Sequence, residues 1–222
     1  MCIINSFKPL DNPIAADLKP SNILISETGQ IKIGDFGSAV ELKQKQENES
    51  GQFSVEGFSR WYKSPEMMFG SRDYDFSVDI WSFACIFAEL LQGYPLFPGS
   101  TEIDQMARIG QVIGSATKEN WSTIDCLPDY GKIIFNYSKP PDLKEIFPLA
   151  DESQIKFLQL CLRYQNRLSA QELLESDYFL KDEPELNLKQ KKVKLNERQK
   201  DEPFFDYIKF VDQICREKNE QQ

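Results

Sequence analysis

The stretch from Val78 to Gln92, reading VDIWSFACIFAELLQ, constrains the fold more than any other part of the chain. Apolar residues occupy nearly every face of the helix it predicts, and Gly93 stands where a left-handed C-terminal cap belongs. A helix that is apolar all round must be enclosed by other elements, so a helical domain is predicted to form around it. It is too short for a membrane span and carries Asp79 and Glu89. Further helices are predicted over Glu102–Ile113, closed by Gly114, over Ser153–Tyr164, and over Ser169–Ser176, where Ser169 and Glu172 have capping-box spacing. Ile23-Leu24-Ile25 and Ile31-Lys32-Ile33 flank the polar residues Ser26 to Gln30, the pattern of a short β-hairpin. Residues Glu41 to Gly57 are polar and Gly-containing and predict a loop, as does the Pro- and aromatic-rich stretch from Cys126 to Pro148. The expected class is mainly α with a short β-hairpin.

With 222 residues, 41% of them hydrophobic, the chain can bury one substantial core, and one globular domain plus a tail is expected. A formal charge of -9 disfavours nucleic acid and anionic membrane as partners and favours proteins with basic segments. The absence of histidine excludes histidine triads, histidine-ligated zinc and a histidine pH switch. Cys2, Cys85, Cys126, Cys161 and Cys215 form no CxxC pair and read as free thiols of a reducing compartment. No signal-peptide pattern opens the sequence, so a cytoplasmic or nuclear protein is expected. The division expected is an irregular segment 1–12, a domain 13–180, a charged linker 181–202, and an amphipathic tail helix 203–222 carrying Phe204, Tyr207, Ile208, Val211 and Ile214.

Several short strings occur in a fixed order. Asp17-Leu18-Lys19-Pro20-Ser21-Asn22 precedes the hairpin and Asp35-Phe36-Gly37 follows it, so the hairpin would bring Asn22 and Asp35 to one site. Downstream come Trp61-Tyr62-Lys63, Ser64-Pro65-Glu66, Asp79-Ile80-Trp81-Ser82, Gly93-Tyr94-Pro95-Leu96-Phe97-Pro98-Gly99, Leu127-Pro128-Asp129-Tyr130-Gly131-Lys132-Ile133 and Arg167. Each alone is weak, and their order carries the information. From Pro13 to Leu180 the chain resembles a eukaryotic serine/threonine protein kinase of the cyclin-dependent group, closest to the cell-cycle-related branch.

The resemblance implies a protein-kinase-like C-terminal lobe with the N-terminal lobe absent. It implies Asp17 as the carboxylate that accepts the substrate hydroxyl proton, Lys19 as the cation beside the transferring phosphoryl, and Asn22 and Asp35 as Mg²⁺ ligands next to ATP. Ser59 would mark serine/threonine specificity and Ser54 would be the activation-loop phosphosite. Glu66, Asp79 and Arg167 would be structural, the first and last as an ion pair. A protein substrate and a cyclin-like activating protein are the implied partners. Ala15-Ala16 stands before Asp17 where the family has histidine and arginine, and no Gly-rich loop or lysine-bearing strand precedes it. A truncated copy, weak or inactive alone, is therefore expected, with a non-catalytic, kinase-like interaction module as the alternative.

Overall fold

The structure is a computed structural model that describes residues 13–27, 29–41, 58–132, 135 and 138–180. The segment 1–12, Ser54, the linker 181–202 and the tail 203–222 lie outside the described residues. Chain order gives β1 (Pro13–Ile14), β2 (Ile23–Ile25), β3 (Ile31–Ile33) and β4 (Val40–Glu41). The helices α1 (Pro65–Met68), α2 (Ser77–Gln92), α3 (Glu102–Ile113), α4 (Leu143–Ile146), α5 (Glu152–Cys161), α6 (Ala170–Leu174) and α7 (Asp177–Leu180) follow.

Helix α2 is the centre of the core. Trp81, Ala84 and Ala88 are wholly buried, and the helix stops where Gly93 turns left-handed at φ 84° and its N–H donates to the Glu89 carbonyl at 2.7 Å. Phe97 stacks on Trp81 with ring centroids 5.7 Å apart, and Phe157 of α5 meets Phe87 at 5.1 Å. Burying each such side chain contributes about 1.5–3 kcal/mol, so α2 and its wrapping helices form only as a unit. Asp151 and Ser169 each close a capping box, with Gln154 and Glu172 respectively, which sets the starts of α5 and α6.

The predicted helix Ser153–Tyr164 thus begins at Glu152 and ends at Cys161, the one predicted over Ser169–Ser176 is the shorter α6 capped by Ser169, and α7 beyond it was not foreseen. The stretch from Cys126 to Pro148 contains α4, capped by Asp142, whose side chain accepts from the Lys144 N–H at 2.9 Å. A helix of one turn has no repeat from which a period could be read.

The hairpin of β2 and β3 has the register Ile23↔Ile33, Leu24↔Lys32 and Ile25↔Ile31. Its turn closes through Gly29 at φ 78° and the Ser26 N–H to Gln30 carbonyl bond at 2.9 Å. A second sheet pairs β1 with β4 antiparallel, Pro13 opposite Glu41 and Ile14 opposite Val40. This sheet corrects the expected architecture, a C-terminal lobe with the N-terminal lobe absent: regular β structure already stands ahead of Asp17. Pro13 tolerates its place because the first residue of an edge strand need not donate to the ladder. Two-residue strands so far apart in sequence leave no alternation by which they could be foreseen.

Candidate active site

Asp17 is held from both sides. Its Oδ2 accepts from Lys19 Nζ at 2.7 Å and its Oδ1 accepts from the Ser59 N–H at 2.9 Å, while Lys19 Nζ also donates to Ser59 Oγ at 2.9 Å. Asp17 is 9% exposed, and the triangle ties its loop to a segment more than forty residues downstream in the chain. Pro20 opens the short 3₁₀ turn Pro20–Asn22 that follows, where its missing N–H costs nothing. The buried Asn22 then donates its Nδ2 back to the Asp17 carbonyl at 3.0 Å, closing the loop.

The hairpin register continues one step beyond Ile23↔Ile33, because the Gly34 N–H donates to the Asn22 carbonyl at 2.8 Å. Asp35 therefore leaves the hairpin beside Asn22. It is exposed, adopts φ 57°, and its Oδ1 accepts from the Gly37 N–H at 3.3 Å. The Asn22 amide nitrogen is engaged on Asp17, which leaves its oxygen, with the exposed Asp35 carboxylate, as the hard donors that could hold a cation. Such a set suits Mg²⁺, which takes one or two protein oxygens and completes its octahedron with water and phosphate.

Asp79 acts on the backbone just before Asp17. Its Oδ2 accepts from the Ala15 N–H at 2.7 Å and its Oδ1 from the Ala16 N–H at 2.8 Å, and Ala16 is held at φ 64°, a conformation a β-carbon disfavours. Burial pushes the Asp79 carboxyl up to about 6, against the opposing pull of the two N–H bonds. Because the folded value lies above the unfolded 3.8, the folded state binds this proton more tightly. The stability contributed by this group is fully present below about pH 4 and is lost as pH rises through about 6. Relative to Asp79→Asn, which cannot titrate, the wild type is expected to lose about 3 kcal/mol across that window and stay flat above it. Urea unfolding of both proteins at a series of pH values measures this; parallel curves would refute it.

Glu66 and Arg167 meet in a two-pronged ion pair. Arg167 NH1 reaches Oε1 at 2.6 Å and NH2 reaches Oε2 at 2.8 Å, with the guanidinium 5.0 Å above the Trp81 ring and NH1 also on the Ser77 carbonyl at 3.1 Å. It fastens α1 to the start of α2. Sequence reasoning overlooked a second fastening: Tyr62 Oη donates to Glu89 Oε2 at 2.7 Å, and Ser82 Oγ donates to the Tyr62 carbonyl at 2.7 Å. Burial pushes the Glu89 carboxyl up, opposed by the Tyr62 bond. The available signal was Glu89, a carboxylate in the apolar second half of α2.

Ser59, Asp17 and Lys19 thus form one hydrogen-bonded group, Asn22 and Asp35 lie next to it at the end of the hairpin, and Glu66, Asp79 and Arg167 brace it from α1 and α2. The protein kinase domain model matches residues 12–179, taking in the N-terminal sheet and reinforcing the correction made for the fold. Over 169 residues the chain is 41% identical to cyclin-dependent kinase 20 of Danio rerio, covering 75% of this chain and 48% of that protein. It is 38% identical to cyclin-dependent kinase 20 of Homo sapiens over 78% of this chain and 50% of the relative. Against cyclin-dependent kinase D-1 of Oryza sativa subsp. indica it is 38% identical over 74% of this chain and 38% of the relative. The chain spans about half the length of the cyclin-dependent kinase 20 proteins it matches. With most of its length under the family model and this bracing around Asp17, the chain belongs to the protein kinase family, among its cyclin-dependent-type members.

Proposed function

We propose that the chain provides the catalytic machinery of a serine/threonine protein kinase that transfers the γ-phosphoryl group of ATP to a protein hydroxyl. The observation that carries this reading is the Asp17–Lys19–Ser59 triangle, with Asn22 and Asp35 beside it at the end of the hairpin. Each Asp17 oxygen accepts one hydrogen bond and keeps a lone pair, so the carboxylate is oriented and can still take the proton of a substrate hydroxyl as the hydroxyl oxygen bonds to the γ-phosphorus and the bond from that phosphorus to the departing ADP breaks. Lys19 sets positive charge beside the position where the equatorial phosphoryl oxygens gain negative charge. Mg²⁺ bound by Asn22 and Asp35 would neutralise phosphate charge. Similarity to cyclin-dependent kinase 20 and the 127–133 loop support placement in the cell-cycle-related branch. A cyclin-like activator and a cytoplasmic or nuclear setting belong to this reading.

Ala15 and Ala16 favour a second reading, a non-catalytic interaction module, because both side chains are buried and bring no charge to the site. Titration with Mg-ATP separates the two. A binder at a hundredfold excess over its dissociation constant is stabilised by about 2.7 kcal/mol, and Asp35→Ala is expected to abolish the shift. An unchanged melting curve for the wild-type chain would refute the nucleotide-dependent reading.

A further inference from the structure

Apart from the main core, a second buried apolar cluster joins Ile14, Ala16, Met67, Tyr74 and Val78, with Val40 and Phe58 packed against it. The Phe58 ring meets Tyr74 edge-on, centroids 6.4 Å apart and planes at 90°. Two of these residues matter by their place in the chain. Ala16 immediately precedes Asp17, and Phe58 immediately precedes Ser59. The hydrogen bond from the Ser59 N–H to Asp17 Oδ1 thus runs between two residues whose preceding side chains are anchored in one cluster.

Hydrogen bonds at a partly exposed lip compete with water and gain little net free energy by themselves, while ordering a loop backbone costs about as much as one of them returns. On its C-terminal side Ser59 is fixed by its own turn, where its carbonyl accepts from the Tyr62 N–H at 3.1 Å and Arg60 and Trp61 donate to the Ser100 and Gly99 carbonyls; on its N-terminal side the apolar contact of Phe58 is the available source of register. Among the described residues, charge reaches Ser59 only through Lys19 and Asp17, the groups being positioned. Asp79 secures the Ala15 and Ala16 side of the cluster by accepting from both backbone N–H groups.

We propose that Phe58 is a positioning residue: packed against Tyr74 and the Ala16 cluster, it sets Ser59 in register with Asp17 and so orients the carboxylate. Its consequence for phosphoryl transfer rests on the kinase reading above, whereas its structural content does not. Amide hydrogen exchange under native conditions tests it directly, comparing Ser59, Ala15, Ala16 and the central turns of α2 in the wild type, Phe58→Ala and Phe58→Leu. In Phe58→Ala the Ser59 amide is expected to exchange about tenfold faster or more, with the Ala15, Ala16 and α2 amides unchanged, as befits a local opening. Phe58→Leu, which keeps an apolar anchor, is expected to restore most of the protection. An unprotected Ser59 amide in the wild type, an unchanged rate in Phe58→Ala, or equal acceleration at all four places would each overturn the proposal. In a phosphotransfer assay the same variant is expected to lower kcat by about tenfold with KM for Mg-ATP unchanged, since Asn22 and Asp35 are untouched. A wild type without phosphotransfer would count against the kinase reading, while the exchange rates still decide the role of Phe58.

Discussion

Replacing Arg167 with alanine is expected to lower the unfolding free energy by about 3–5 kcal/mol, because it leaves the Glu66 carboxylate with no countercharge in a largely buried setting. The Arg167 side chain is 1% exposed and that of Glu66 14%, so solvent has little room to take over the lost contacts. Several losses add: the two parallel N–H bonds to the carboxylate, the bonds to the Ser77, Arg163 and Tyr164 carbonyls, and the cation over Trp81. Arg167→Lys keeps the charge but cannot reproduce the fork, so it should recover only part of the loss. Glu66→Gln combined with Arg167→Met should be less damaging than Arg167→Ala alone, since neither buried partner is then charged. Urea unfolding at constant m-value gives these numbers. A loss below about 1 kcal/mol for Arg167→Ala would show the pair to behave like an exposed salt bridge.

The second large effect concerns chemistry. Asp17→Asn keeps an oxygen that can accept from the Ser59 N–H, so the loop should stay closed, but it removes the group proposed to take the substrate proton and the countercharge of Lys19. Removing a positioned general base costs about 10²–10⁴ in rate. Phosphate transfer to a protein hydroxyl should fall by that factor, while stabilisation by Mg-ATP persists through Asn22 and Asp35. Label transfer and melting curves measured on the same preparations report both. Full activity in Asp17→Asn would remove Asp17 from the role of proton acceptor.

Parts of the architecture were legible before any coordinates. Helix α2 announced itself because apolar residues on all faces have no other stable arrangement, and Gly93 supplied the left-handed stop. The hairpin was legible from two Ile-X-Ile triplets around a polar connection. The β1–β4 pairing was not, and the expectation that an N-terminal lobe is absent failed with it. Two-residue strands are held by tertiary context and leave no periodic trace. Helix α4 escaped notice for the same reason.

The candidate site divides along similar lines. Order along the chain named Asp17, Lys19, Asn22 and Asp35, because local turns and one hairpin are enough to bring those positions near each other. Sequence could also mark Asp79 as a carboxylate facing an apolar interior. It could not say that Asp79 grips the N–H groups of Ala15 and Ala16, that Tyr62 reaches Glu89, or that Phe58 shares a cluster with Ala16. Those contacts join segments separated by tens of residues, and their partners are backbone amides or apolar surfaces that carry no signature in the sequence. What the sequence determined by itself was therefore the set of polar groups and the central helix, through local geometry and periodicity. What only the tertiary structure decided was how that set is held, since long-range packing around α2 selects which buried groups meet.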